Sequence, residues 1–243
     1  MSFYLVILLF FLVAFLYSSV GHGGASGFIA VMVLVQVSMT MVKPAALILN
    51  ILVSSMATYQ YYRSNYFNKN IFIPLVITSI PFAFLGSLLH VSQYLFKILL
   101  GLCLVIAVGR MLFVNSKMES NENKKMPIGV ALFIGASIGL VSGMIGIGGG
   151  IILSPILILA NWSSQKQAAA ISAPFILVNS ISGITGASIA GFSLPDDFVF
   201  WVIAAVAGGA IGSYLGARKY NQLAIKYVLS LVMLIAATKL FIR

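Results

Sequence analysis

Charge is scarce in this chain: 7% of its 243 residues are charged, against about 25% in an ordinary soluble domain. With 61% hydrophobic residues and a mean hydropathy of +1.10, a soluble globular fold is excluded. Acids are scarcer still. Glu119, Glu122, Asp196 and Asp197 are the only four, and all fall in polar connections, so neither an intramembrane carboxylate relay nor a pair of catalytic acids is available. The single cysteine, Cys103, lies in an apolar run, which rules out an internal disulfide and a thiolate metal site and reads as a buried thiol. No phosphate-binding glycine loop ending in Lys-Ser or Lys-Thr is present, which argues against a self-contained ATP-driven pump. No cofactor is called for. The net charge of +10 comes from Lys and Arg scattered singly along the connections; without an Arg-rich stripe or basic-aromatic interleaving it points to membrane topology rather than to nucleic acid.

What the chain has is apolar length and glycine. Apolar segments run over 3–20, 28–42, 44–62, 71–89, 94–113, 127–145, 151–160, 168–190, 198–217 and 223–242. Most are long enough to cross a hydrocarbon layer of about 30 Å. Segment 151–160 reaches only about 15 Å, and 28–42 is also short. The first segment lacks the basic flank of a signal peptide, since the first Lys or Arg is Lys43, and reads as a mature membrane segment.

The sequence repeats itself. Gly21, Gly23 and Gly24 stand 125 positions before Gly146, Gly148 and Gly149, and Leu34, Ser38, Ala45 and Phe67 match Leu159, Ser163, Ala170 and Phe192 at the same spacing. Further on, Gly86-Ser87 matches Gly212-Ser213, and Lys97 matches Lys226, in preserved order. The expected organisation is a first repeat over 1–114, a linker over 115–126 and a second repeat over 127–243. The fold class is therefore an all-α integral membrane protein of two inverted repeats, each a helical hairpin followed by three transmembrane helices.

The inversion follows from charge. If each hairpin returns to its starting side, Arg63, Lys69, Arg110, Lys117, Lys124, Lys125, Lys166, Arg218, Lys219 and Lys226 share one side. Lys43, Lys97, Lys239, Arg243, Asp196 and Asp197 share the other. The positive-inside rule then puts the linker in the cytoplasm and both termini outside. Full spans and a re-entrant hairpin satisfy this rule equally; the short second arms favour the re-entrant form.

The hairpin tips, Tyr17 to Gly27 and Ser142 to Gly150, hold the candidate site. Non-helical backbone within a membrane is tolerated only where protein or a wet cavity surrounds it, so the tips should meet near the midplane. Amides opening the second arms, beginning near Gly24 and Gly149, would offer N–H donors and the positive end of a helix dipole to an oxyanion without burying a full cation. The expected substrate-binding residues are Ser18, Ser19, Gly21, His22, Gly23, Gly24 and Ser26 in the first tip, and Ser142, Gly146, Gly148, Gly149 and Gly150 in the second. Asn50, Ser54 and Thr58, four apart on one helical face, and Asn179, Ser180 and Ser182 either line the path or join neighbouring helices. His22 either carries protons or is a neutral ring bonded to a carbonyl; His90 sits at a span end. Lys43-Pro44 is expected to open a span, with Lys43 drawing anions into an outer vestibule or snorkelling, and Pro174 to kink its span.

The duplicated G-x-G-G hairpins and the phrase SSVGHGGASG followed by KPAALILNILVS resemble the TauE/SafE family of sulfite and organosulfonate exporters over nearly the whole chain. The resemblance implies a secondary transporter of small sulfur-containing anions in a bacterial or archaeal plasma membrane. Its partners would be the anion and the lipid bilayer. An anion channel or an uptake permease for a related anion is the alternative, coupling by protons or sodium stays open, and no oligomeric state follows.

Overall fold

A computed structural model describes residues 2–89, 125–189 and 191–218, with a few isolated positions between 92 and 109. The expected span 223–242, most of 94–113 and the linker through 124 lie outside the described residues. So do His90, Lys97, Cys103, Arg110, Lys117, Glu119, Glu122, Lys124, Lys219, Lys226, Lys239 and Arg243.

Every described element is helical: α1 Phe3–Ser18, α2 Ala25–Leu34, α3 Met39–Tyr62, α4 Lys69–Leu88, α5 Ile128–Ile145, α6 Gly150–Leu159, α7 Gln165–Ile189 and α8 Phe198–Arg218. Five of these, α3, α4, α5, α7 and α8, are long and apolar enough to cross a membrane. The chain is an all-α, multi-pass membrane protein. α1 covers about 24 Å at 16 residues, and α2 and α6 about 15 Å at 10 residues each. Two boundaries depart from expectation: the arm expected over 28–42 runs over Ala25–Leu34, and the span expected from 44 begins earlier. α3 begins at Met39, so Pro44 stands in its second turn instead of opening it; the cost of a proline there is limited because only one ladder bond, to Thr40, is forgone. Pro174 is accommodated inside a helix assigned continuously from Gln165 to Ile189.

α1 and α5 start 125 residues apart, as do α2 and α6, and α3 and α7 start 126 apart. The contacts follow the same correspondence. A side chain at Gly86 of α4 would strike the Leu140 carbonyl of α5, and one at Gly212 of α8 would strike the Phe15 carbonyl of α1. Gly86 and Gly212 are repeat equivalents, and so are Phe15 and Leu140. Each half therefore lends its fourth helix to the first helix of the other. Close backbone approach of this kind is how membrane helices gain van der Waals and Cα–H···O contact when lipid offers no hydrophobic advantage to packing.

Helix directions can be read from the pairs. Leu75, Ser79 and Ala83 of α4 meet Gly135, Gly139 and Gly143 of α5, and Phe11, Phe15 and Ser19 of α1 meet Gly208, Gly212 and Gly216 of α8. Both pairs run parallel. At the centre Leu47 meets Gly183, Asn50 meets Ser180, and Ala57 and Tyr61 cluster with Ala169, Ala170 and Ala173. α3 and α7 are antiparallel, although they occupy equivalent places in the two halves. They are also the most enclosed of the long helices, whereas Leu8 and Leu12 of α1, Ile73 and Ile77 of α4, Phe133 of α5 and Ile203 of α8 are exposed as a lipid-facing surface requires.

These directions gather Arg63, Lys69, Lys125, Lys166 and Arg218 at one end of the bundle, and Asp196, Asp197 and Lys43 towards the other. At the basic end Arg63, Lys166 and Arg218 lie over the rings of Tyr59, Tyr66 and Tyr214 at 5.6, 5.2 and 4.6 Å, the cation-aromatic belt of a membrane surface.

Candidate functional site

Both hairpins break in the same way. The N–H of His22 returns to the Tyr17 carbonyl and that of Ile147 to the Ser142 carbonyl, closing α1 and α5 across Gly21 at φ +76° and Gly146 at φ +85°. Two residues later the chain reverses at Gly24, φ +96°, and Gly149, φ +79°, which cap α2 and α6 in the left-handed region. An L side chain there would cost roughly 1–2 kcal/mol.

α1 continues to the level of the last turn of α3, where the Tyr61 hydroxyl donates to the Ser19 carbonyl at 2.7 Å. The tip then climbs back, so that α2 begins beside the middle of α3: the Ala25 N–H donates to Asn50 Oδ1 at 3.2 Å. The second tip starts against Lys43, beside Gly146, and also reaches the middle of the bundle. There Gly23 and Gly148 both pack on Asn50 and Ile176, leaving no room for a side chain on either glycine. The two tips thus converge, with the N-termini of α2 and α6 directed to one place.

Asn50 occupies that place and is fully buried. Its Nδ2 donates to Ser180 Oγ at 2.9 Å and, more weakly, to the Ile147 carbonyl at 3.5 Å. Its carboxamide therefore joins α2, α3, α7 and the second tip. The opening of α6 has no counterpart to this bond. Among the described residues no group accepts from the N–H of Gly150, and no side chain caps α6. A buried amide left in this state costs about 1–3 kcal/mol, which a ligand oxygen would offset.

Close to that opening is a polar chain. Gly150 approaches Ser172, whose hydroxyl is 2.7 Å from Ser154 Oγ, and Ser154 Oγ is 3.3 Å from His22 Nε2. His22 Nδ1 is 3.0 Å from the Val20 carbonyl. A carbonyl only accepts, so Nδ1 carries a proton and donates to Val20. His22 is held by a backbone carbonyl on one side and faces Ser154 on the other. The repeat equivalents of His22, Ser154 and Ser172 are Ile147, Ile29 and Leu47, all buried and apolar.

The remaining expected residues divide. Ser18 and Ser19 donate to the Phe15 and Leu16 carbonyls, 3.3 and 2.6 Å away, and lie against Gly212 and Gly216 of α8. They belong to helix packing and are not brought to the convergence. Ser26 is paired with the Tyr17 hydroxyl at 2.9 Å. Gly21 lies against Ala169. Ser142 is buried beside Gly149. Ser54 bonds weakly within α3, to Ile51 at 3.4 Å, and Asn179 Nδ2 donates to the Phe175 carbonyl at 2.8 Å while its Oδ1 is buried without a partner. Half-buried Lys43 donates to the Ser87 carbonyl at 2.9 Å, near the C-terminus of α4, where a cation is favoured by the helix dipole.

Sequence reasoning missed Ser154 and Ser172 and left Ser180 outside the site. Ser172, Ile176 and Ser180 are spaced by four, as are Gly150 and Ser154; that spacing places each set on one helical face and was the available clue.

No solved structure matches the chain. The "Probable membrane transporter protein y4hK" of Sinorhizobium fredii is 35% identical over 234 residues, covering 95% of each chain. A family model described as "Sulfite exporter TauE/SafE" matches residues 6–240. A helical bundle with two broken hairpins meeting at its centre, matched over nearly its full length by these relatives, is a membrane transporter, and the chain belongs to the TauE/SafE sulfite exporter family.

Proposed function

We propose that this transporter exports a small sulfur-containing anion, sulfite or a sulfonate, by alternating access between halves 1–114 and 127–243 placed upside down to one another. The observation that carries the reading is the convergence of Gly23 and Gly148 on Asn50, which aims two helix N-termini at one point. Oriented amides attract an oxyanion and cost far less to bury than Lys or Arg. Equivalent helices running in opposite directions support the inversion, and the basic end formed by Arg63, Lys69, Lys125, Lys166 and Arg218 supports a cytoplasmic linker 115–126 with both termini outside. The membrane would be the plasma membrane of a bacterium or archaeon.

In this reading the anion enters between the tips, takes its first donors from the α6 opening, Gly148, Gly149 and Gly150, and is flanked by His22, Ser154 and Ser172. Lys43 draws it along the outer mouth. Rocking of one half on the other exposes the site to each side in turn. An anion leaving an inside-negative cell gains about 2.3 kcal/mol per charge per 100 mV, so export proceeds as uniport. The sequence places all four acids in polar connections, away from the hairpin tips, and the protein acts without chemistry on its cargo.

The test is thermal stabilisation of the purified protein by sulfite, sulfate, thiosulfate, methanesulfonate and acetate, followed by exchange of labelled sulfite in proteoliposomes. Stabilisation by sulfur oxyanions and saturable exchange are expected. Stabilisation by cations alone would overturn the anion reading, and flux that rises linearly with concentration would make the protein a channel.

A further inference from the structure

Asn50 does more than line the convergence. Its Oδ1 is an oxygen delivered from another helix to the first N–H of α2, the place and the donor that an oxyanion would use in the first half. We propose that the Asn50 carboxamide oxygen is a resident stand-in for the substrate, filling the α2 opening in the empty carrier and swinging away when the anion binds; this rests on the anion reading above.

The assignment of the carboxamide atoms is fixed by its partners, because Ala25 offers an N–H and Ile147 a carbonyl. The group is held at both ends, by Ala25 on one and by Ser180 on the other. It is enclosed by the two tip glycines, Gly23 against Oδ1 and Gly148 against Nδ2, where a methyl on either would overlap it. The central glycine of each G-x-G-G motif therefore has a physical reason: both tips close around one carboxamide. The device exists in one half only. Asn50 corresponds to Phe175 at a spacing of 125 and to Ile176 at the 126 that separates α3 from α7; Phe175 lies beside Gly149 and Ile176 against Gly150, and neither side chain offers an acceptor.

The consequence is a competition with a predictable sign. A side chain that merely contributes a donor to the anion should weaken binding when removed. A side chain that occupies the anion's place should strengthen it. Removing the resident oxygen releases one neutral hydrogen bond from competition, worth about fivefold in affinity. Turnover should fall, because the carboxamide also ties the tips together and its return helps expel the anion.

The experiment measures sulfite affinity by calorimetry, and sulfite exchange in proteoliposomes, for the wild type, Asn50→Ala, Asn50→Asp and Ser180→Ala. Asn50→Ala is expected to bind sulfite about fivefold more tightly and to exchange it more slowly. Ser180→Ala, which frees one anchor of the carboxamide, should shift affinity in the same direction by a smaller factor and serves if Asn50→Ala does not fold. Asn50→Asp places a fixed carboxylate at the α2 opening and should abolish sulfite binding while the purified protein remains monodisperse. Weaker sulfite binding in Asn50→Ala, or in Ser180→Ala where only that variant folds, would overturn the stand-in and leave the anion reading standing. Absence of sulfite binding by the wild type, with binding of no other oxyanion, would remove both.

Discussion

The two hairpin tips share a backbone and differ in chemistry. Both end their first arm with the same returning hydrogen bond, both reverse at left-handed glycines, and both rest on Asn50 and Ile176. Yet the first tip carries His22 where the second has Ile147, and Asn50 accepts from the first N–H of α2 while among the described residues no side chain does so at α6. The shared backbone gives two like mouths, and unequal side chains make them different.

The largest effects should come where the halves are still alike. Gly86→Leu and Gly212→Leu each drive a side chain into the carbonyl of the facing helix, an overpacking expected to exceed about 3 kcal/mol. Both should lose monodisperse protein on size-exclusion chromatography to a similar extent. A large inequality would break the equivalence of the α4·α5 and α8·α1 pairs.

At the tips the halves should begin to separate. Gly148→Ala adds a methyl at φ +69° against Asn50, Ser180 and Ile176, whereas Gly23 meets Asn50 and Ile176 without a left-handed backbone. Gly148→Ala should therefore lower the melting temperature more than Gly23→Ala, by the equivalent of about 1–2 kcal/mol. Equal losses would show that contact alone, without the backbone conformation, sets the cost.

Smaller still is the change that makes the first tip resemble the second. His22→Ile removes the ring nitrogen that faces Ser154, a loss of about 1 kcal/mol of stability, and should slow sulfite exchange by a few-fold. Replacing Ile147 by His has no Ser at the equivalents of Ser154 and Ser172, namely Ile29 and Leu47, and should not compensate for His22→Ile in the double variant. Recovery of exchange in that double variant would show the two mouths to be interchangeable.

The smallest effect is expected at the outer mouth. Lys43→Ala reproduces the residue at its repeat equivalent, Ala168, and should raise the sulfite KM two- to threefold in low salt, with the difference shrinking as ionic strength screens the charge. A salt-independent change would mean that Lys43 acts through its bond to the Ser87 carbonyl and not through its field.

Much of this was legible in the residues. Apolar lengths located the long described helices, segments 28–42 and 151–160 stood out as short, and the glycine clusters marked the breaks, because hydrophobicity and positive backbone φ are local properties. Pro44 misleads for the same reason: its sequence neighbourhood fits a first turn, whereas α3 starts five residues earlier, at Met39. Ser18 and Ser19 sit in a motif beside the glycines, yet the turn of α1 faces them to α8. Ser154, Ser172 and Ser180 are unremarkable as residues, and their relation to His22 and Asn50 spans 132 and 130 positions.

By itself the sequence determined that the chain is a helical membrane protein whose short hairpins break at glycine, since composition, apolar length and a recurring glycine motif need no knowledge of neighbours. Only the tertiary structure decided that both breaks close on Asn50, and that the polar chain of His22, Ser154 and Ser172 belongs to one mouth alone. Hydrogen bonds between distant elements depend on which helices pack together and in which direction, and α3 against α7 settles both.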